Sequence, residues 1–508
     1  MTPPDKIRHH GFITVSIMLA TIMQVLDTTI ANVALPSMQA DLGASQDTIS
    51  WVLTSYIVAS AIMTPVTGWL ADRFGRKELY LASIFGFVIA SMMCGIANGL
   101  NEMVVFRIIQ GISGAALVPL SQSVLLDINP REKHGQAMAM WGMGIMIGPI
   151  LGPPLGGYLT QNFSWHWVFL INLPVGALAL VGILASVRKE PIHARSLDGF
   201  GFALLALGIG ALQLLLDRGQ GEDWFNSLEI QVYAALSLLA LYFYGLWWWQ
   251  RREHALLDLG LLKNTNFAVG CALIFIVGIV LFATLALLPP YLSSLMHYPT
   301  LTIGLVLAPR GLGTMFSMMV AGRLMGRIDA RWPILAGMGL MVVSLHGMSQ
   351  FGPNASMSAV IWLGVIQGLG LGLVFVPIST VAYATLEPRQ RTEAAGLFSL
   401  VRNIGSSVGI SVVMTMLSRS AQINHAEIGA RIPAFGAETG LLPALWNPAT
   451  ASGAAMLNNE LMRQSAALGY LNDFWLMTWL TVAAMPLVLL MRSGGDGAPA
   501  ADAAAAGH

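Results

Sequence analysis

Charge is what this 508-residue chain has least of. Asp, Glu, Lys and Arg make up 10% of it, against about 25% in a soluble domain. Acids and bases number 26 each, so the formal net charge is zero. A neutral chain has no basic surface for phosphates, which excludes a nucleic-acid function. Cysteine is almost absent. Cys94 and Cys271 both fall inside apolar runs, which excludes a disulfide framework and a Cys-rich metal site. Nine of the ten histidines lie in predicted loops, at span edges or in the tails. Only His346 lies well inside an apolar stretch, so no metal site is expected. No G-x-x-x-x-G-K-[ST] run is present, nor H-E-x-x-H, nor paired carboxylates at one face. Neither ATP hydrolysis by the chain itself nor intramembrane catalysis is expected, so the chain is not an enzyme and needs no bound cofactor. The short basic loops leave no room for a signalling domain.

What is there is apolar. Hydrophobic residues are 55% of the chain, mean hydropathy is +0.67, and 53 glycines are spread through the apolar runs. This is an all-α polytopic membrane protein. Fourteen spans are expected, near 13–35, 50–71, 79–98, 103–127, 136–160, 166–187, 198–217, 228–249, 266–291, 300–325, 332–350, 357–381, 393–417 and 473–491. The first follows a polar N-terminus but is too long for a signal peptide and ends without a small-residue cleavage site. Residues 418–472 form one long outer loop, and the Ala-rich tail 492–508 is expected to be disordered.

Basic residues set the orientation. Loops on the N-terminal side hold 19 of the 26 Lys and Arg: Lys6, Arg8, Arg73, Arg76, Lys77, Arg131, Lys133, Arg188, Lys189, Arg195, Arg251, Arg252, Lys263, Arg323, Arg327, Arg331, Arg389, Arg391 and Arg492. The other side holds Arg218, Arg419, Arg431 and Arg463. Both termini are therefore expected in the cytoplasm. Three arginines, Arg107, Arg310 and Arg402, fall within spans.

The chain repeats itself. "IQGISGAALVPLSQSVLLDINPRE" (109–132) and "IQGLGLGLVFVPISTVAYATLEPRQ" (366–390) share the frame IQG, VP-x-S and PR. The offset maps the fourth span onto the twelfth, eight spans on. Two extra spans, the seventh and eighth, must separate two six-span halves. Internal repeats of this kind build secondary transporters. The domains are then 1–187, a first six-helix bundle; 188–265, two inserted helices with linkers; and 266–491, a second bundle. A second repeat pairs "GWLADRFGRKELY" (68–80) with a degenerate copy, "GRLMGRIDAR" (322–331).

At this point the sequence resembles the major facilitator superfamily. Gly68, Asp72, Arg73, Gly75, Arg76 and Lys77 fit its cytoplasmic-loop motif. The fourteen-span drug:proton antiporter branch is similar in "LDTTIANVALP", "FRIIQGISGAA" and "GMGIMIGPILGPPLGG", and its multidrug efflux subunits in "LLLDRGQGEDWF" and the long outer loop. The resemblance covers all but the tail. It implies a major facilitator fold of 6+2+6 helices in a bacterial inner membrane, with protons and hydrophobic small molecules as cargo. It also implies a periplasmic adaptor protein and, through that, an outer-membrane channel.

Asp27 is the first residue to explain, because a carboxylate inside a span is costly. It lies about 22 Å above the start of span one, at 1.5 Å per residue. Arg107 enters span four from the other side and reaches a similar depth. The two can meet if spans one and four are neighbours, and the superfamily fold implies that both line the central cavity. Gln24, Asp27, Thr28 and Ala31 share one helical face, a polar stripe suited to water. Burial and a nearby arginine act on an acid in opposite senses, so a change of surroundings can load and unload a proton. A permanent ion pair holding two helices together is the alternative, as is a position at the lipid edge.

Gly144, Gly148, Gly152 and Gly156 put small residues on one face of span five, where helices can approach closely. Pro149 and Pro153 remove backbone donors and bend the helix. The expectation is a sliding seam between the halves, with ordinary packing or a dimer face as alternatives. In the loop motif, Gly68 and Gly75 are expected in short turns. Asp72 is expected to face a helix N-terminus, which by resemblance is span thirteen. Arg310 and Arg402 can attract anionic or zwitterionic substrates. The C-terminal half has no carboxylate within a span to pair them. The Met-rich "TMFSMMVAG" at 314–322 offers either an adaptable cavity or plain span filler. The expected function is proton-coupled efflux of hydrophobic toxic compounds. A dedicated exporter of one metabolite or fatty acid is the alternative.

Overall fold

The computed structural model describes residues 10–45, 48–186, 196–251, 256–352, 355–387, 390–431 and 450–491. Lys6, Arg8, Arg188, Lys189, Arg195, Arg252, Arg389, Arg492, the tail and the centre of the long outer segment lie outside them, as does the side chain of Arg131.

Among the described residues the chain is helical. In chain order the membrane-length helices are α1 His10–Asp41, α2 Trp51–Phe74, α3 Arg76–Cys94, α4 Leu100–Ile128, α5 His134–Asn162, α6 His166–Ala185 and α7 Gly199–Arg218. They continue as α8 Leu228–Gln250, α9 Thr265–Leu295, α10 Thr300–Leu324, α11 Arg331–Met348, α12 Met357–Ala384, α13 Arg391–Ala430 and α14 Ala451–Leu489. Each expected span falls on one of them. Thirteen are apolar enough over 18 residues to cross a membrane, and α11, 18 residues long, is the remaining one.

Local chemistry sets where the helices begin and bend. Side chains of Asp198, Asn264, Ser356 and Thr450 accept backbone N–H groups at the starts of α7, α9, α12 and α14. Pro65 leaves a 3₁₀ turn inside α2, and Pro289–Pro290 precede a π turn that ends α9. Gly75, at φ +88°, makes the sharp link between α2 and α3.

Two expectations change here. The stretch 418–472 is not one loop: α13 runs on to Ala430, and α14 begins at Ala451. Both helices continue well past the apolar stretch. Gly68 lies within the last helical segment of α2, not in a turn. A Cβ there would meet Glu393 Cβ of α13 at 3.1 Å, so its small size serves a close helix crossing.

The first six helices and the last six meet along two lines. In one, α5 packs on α10: a Cβ at Gly135 or Gly142 would collide with Met325 or Met318, and one at Gly311 with Ile150. The other joins α2 and α4 to α13 on the face that carries both described ends. There Asp127 binds both Arg76 and Arg391, the latter at 2.6 Å, and Ser123 bonds Thr392 at 2.8 Å. Nearby, Tyr383 donates to Gln122 at 3.1 Å and Trp141 stacks on Phe375. Towards the opposite face, α7 fills the space between α2 and α13. Asp217 accepts the Thr54 hydroxyl, Gln213 donates to Ser407 at 2.7 Å, and Trp224 donates to Thr415 at 3.0 Å. A cavity of about 430 Å³ remains beside α7, lined by Ile57, Gln213, Asp217, Ser407, Ser411 and Met414 among others.

Candidate functional site

Asp27 and Arg107 meet at 2.6 Å, and neither has any exposed side-chain surface. Arg107 also donates to the Val52 carbonyl at 2.9 Å and to Gln110 Oε1 at 2.8 Å. Its guanidinium lies over the Tyr56 ring, 4.4 Å from the centroid. The other carboxylate oxygen of Asp27 accepts from Gln110 Nε2 at 2.9 Å and from Asn172 Nδ2 at 2.7 Å. Asn172 is shared with Ser91 at 2.9 Å, and the Ser91 hydroxyl donates to the Phe169 carbonyl. A charged pair from α1 and α4 is thus held by neutral polar groups from α2, α4 and α6, with Ser91 of α3 behind Asn172. Charge-assisted bonds of this length are strong, and in a dry setting each lost donor is costly. The guanidinium Nη2 and the Asn172 side-chain oxygen have no partner, so the cluster is not fully satisfied.

The expected stripe divides. Gln24 and Thr28 are half-buried, whereas Asp27 and Ala31 are fully enclosed. Thr28 spends its hydroxyl on the Val25 carbonyl. In this conformation, therefore, Asp27 and Arg107 face the inside of the first bundle, not an open cavity.

The repeat extends to the site. Gln367 stands where Gln110 stands in the first copy, and donates to Thr284 on α9 at 3.0 Å. Thr284 lies 257 residues after Asp27, the offset of the repeat itself. Its other neighbour is the Met477 sulfur of α14, 4.0 Å away, where Asn172 of α6 serves Asp27. The second half therefore repeats the three-helix arrangement with a hydroxyl for the acid, a thioether for the amide, and Gly364 at the offset of Arg107.

The glycines of α5 are placed otherwise than expected. A Cβ at Gly144, Gly148, Gly152 or Gly156 would strike Met18, Val25, Thr29 or Ile30, all on α1. The stripe fits α5 to α1 within the first bundle. The contact with the second half uses other positions on the same helix, including Gly135 and Gly142. Pro149 and Pro153 lie within an uninterrupted helix, and the Thr29 hydroxyl donates to the Gly148 carbonyl at 3.2 Å.

In the loop motif, Arg76 binds Asp127 and Lys77 donates to the Leu184 carbonyl at 2.9 Å. Asp72 is half-buried and Arg73 exposed, both near the end of α2. Asp127 is the acid that ties Arg76 to Arg391, and sequence reasoning passed over it. Its signal was present: an acid in the last turn of span four, just before the repeated PR. Arg310 is buried, with Nη1 unpartnered, and its backbone lies against Gly368 of α12. Arg402 is half-buried and reaches Asn403 at 3.4 Å. Met318 packs in the α5–α10 seam.

The expectation of no spanning carboxylate in the second half does not hold. Asp473 is enclosed within α14, and neither carboxylate oxygen has a hydrogen-bond partner. Asp217 of α7 also lies inside a membrane-length helix. Among the described residues, no three His, Cys, Asp or Glu are grouped to hold a metal ion.

The chain matches known proteins over most of its length. It is 37% identical over 425 residues to the multidrug export protein EmrB of Escherichia coli strain K12, covering 83% of each chain. It is 35% identical over 504 residues to the fatty acid resistance protein FarB of Neisseria gonorrhoeae, covering 97% of this chain and 99% of FarB. Its fold is that of the human organic anion transporter MFSD10, with a TM-score of 0.60 at 16% identity, covering 94% of this chain and all of that one. The Major Facilitator Superfamily model matches residues 17–410, and with the helix order and the repeated halves this shows that the chain is a multi-pass membrane protein belonging to that superfamily of transporters.

Proposed function

We propose that this protein exports hydrophobic toxic compounds in exchange for protons, by alternating access, in the inner membrane of a Gram-negative bacterium. The reading is supported above all by the enclosed Asp27–Arg107 pair and its Gln110 and Asn172 donors. A buried pair is rarely the most stable way to fill a core. It is an effective switch, because breaking it leaves a charge that must find a proton. Movement of α4 or α6 would remove donors from Asp27, and a proton would replace Arg107. No bound cofactor is needed, since the gradient supplies the energy. The 6+2+6 organisation, with both termini cytoplasmic, is part of the same reading.

Hydrophobic cargo would enter between the halves, where the cavity beside α7 offers apolar walls and a few polar groups. The adaptor would grip the helical extensions of α13 and α14, which stand beyond the apolar stretches on the outer side. An outer-membrane channel would complete the path. A second reading, export of one fatty acid or metabolite, is favoured by the similarity to FarB. Arg310, with its unpartnered Nη1, would then receive a carboxylate.

Everted vesicles energised to an acidic interior, with a pH-sensitive dye, test the main reading. Hydrophobic dyes and long-chain fatty acids are added one at a time. Wild type is expected to dissipate the gradient with several unrelated compounds, and Asp27→Asn with none. Transport of a compound without proton movement would refute the exchange. A response to fatty acids alone would select the second reading.

A further inference from the structure

Asp473 is the buried acid that this cycle leaves unused. It lies at the outer edge of the apolar stretch of α14, with 0% exposure and no partner for either carboxylate oxygen. Its setting is a three-helix junction. One turn earlier, a Cβ at Gly469 would meet Leu417 and the backbone nitrogen of Ala421 on α13, so the two helices pass closely there. One turn later, Met477 meets Thr284 on α9. Phe474 and Tyr470 flank it, and Tyr470 meets the Tyr291 ring of α9 edge-on at 5.4 Å.

The ionisable groups around the junction do not neutralise it. The Tyr291 hydroxyl donates to the Gly352 carbonyl at 2.8 Å. His297, which follows α9, and Arg419 of α13 have exposed side chains, as does His346 of α11. Tyr298 is half-buried beyond Tyr291. Arg463, farther out on α14, is held by Glu460 at 2.9 Å. Asp27 has a guanidinium and two amide donors; Asp473 has none. A carboxylate stripped of water and of donors is far costlier than the neutral acid.

We propose that Asp473 is a second proton-binding site, in the second half of the molecule, which holds its proton while α9, α13 and α14 are closed and releases it when α13 parts from α14 at Gly469. Its use in the cycle rests on the proton-exchange reading, but its occupancy does not. In the present conformation one proton sits on Asp473, while Asp27 is paired with Arg107. The second half thus supplies its own acid, one turn along α14 from the Met477 that replaces Asn172.

Infrared difference spectroscopy on the purified full chain at neutral pH tests the occupancy directly. The carbonyl stretch of a protonated carboxylic acid is expected in wild type, lost in Asp473→Asn and retained in Asp27→Asn. Gly469→Leu, which pries α14 from α13, is expected to let that proton exchange with deuterium within mixing time, while wild type exchanges at least tenfold more slowly. A spectrum unchanged by Asp473→Asn overturns the proposal. If that variant does not fold, Asp473→Glu decides: a shifted band supports the site, and an unshifted one refutes it. The gradient assay is independent. Loss of proton exchange there with the band intact would sink the exchange reading and leave the proton site standing.

Discussion

At the scale of single residues, the molecule contrasts two buried acids. Asp27 is ion-paired and triply hydrogen-bonded, whereas Asp473 is alone. Asp27→Asn leaves Arg107 buried with its neutral partners only, and removing one member of a buried pair costs about 3–5 kcal/mol. The expected result is a markedly lower unfolding temperature in detergent, read from tryptophan fluorescence. The double variant Asp27→Asn, Arg107→Gln is expected to recover much of that loss while proton coupling stays absent. Equal stability of wild type and the single variant would mean that the pair carries no structural load. The shared depth of Asp27 and Arg107 was legible from rise per residue, because two antiparallel spans fix two depths; that spans one and four are neighbours was not, and rested on the resemblance. Asn172 was not, since a neutral amide at the head of a span has no cost that marks it. Asp473 was hidden for a different reason: it begins the hydropathic stretch, and the polar helix before it reads as loop.

At the scale of elements, the fit of α5 on α1 is the sharpest test of packing. A Cβ at Gly152 would lie 2.2 Å from Thr29 Oγ1, whereas one at Gly157 would meet nothing within 4 Å. Gly152→Val is therefore expected to lose most of the folded protein, counted by size-exclusion chromatography of fluorescent fusions, and Gly157→Ala to lose none. Adding Thr29→Ala should restore part of the Gly152→Val loss. Periodicity showed that α5 has a small-residue face, but not what that face meets, since spacing carries no record of partners. Boundaries followed the same logic. The apolar stretch fixed where each helix crosses, while α13 runs past it on "SRSAQINHAEIGA", a polar run with no proline to stop it. Thr450 then caps the returning helix.

At the scale of the whole molecule, the halves are held on the terminal face by Asp127 between Arg76 and Arg391. Asp127 and Arg76 keep some exposure while Arg391 is buried, so water can reach the acid when the contact opens. Spin labels at Glu132→Cys and Arg327→Cys, both exposed and on opposite halves, can follow it. The native Cys94 and Cys271 are buried and need not be removed. Asp127→Ala is expected to broaden the label distances towards longer values, and an unchanged distribution would show that Asp127 does not hold the halves. The fourteen-helix order and the eight-helix offset were legible because they depend on long stretches. The choice of Asp127 as the tie was not, because many acids and arginines share that face.

The length of α13 has a further consequence. Forty residues at 1.5 Å each make a rod of about 60 Å, twice the membrane's apolar thickness. If it pivots at its middle, a tilt of about 10° carries each tip about 5 Å in opposite senses, close to one helical turn. Arg391 rides on one arm, and Leu417, against Gly469, on the other. Such a beam would carry movement at the face that holds both described ends to whatever grips its far tip, so a partner docked there would sense each turnover without touching the cargo.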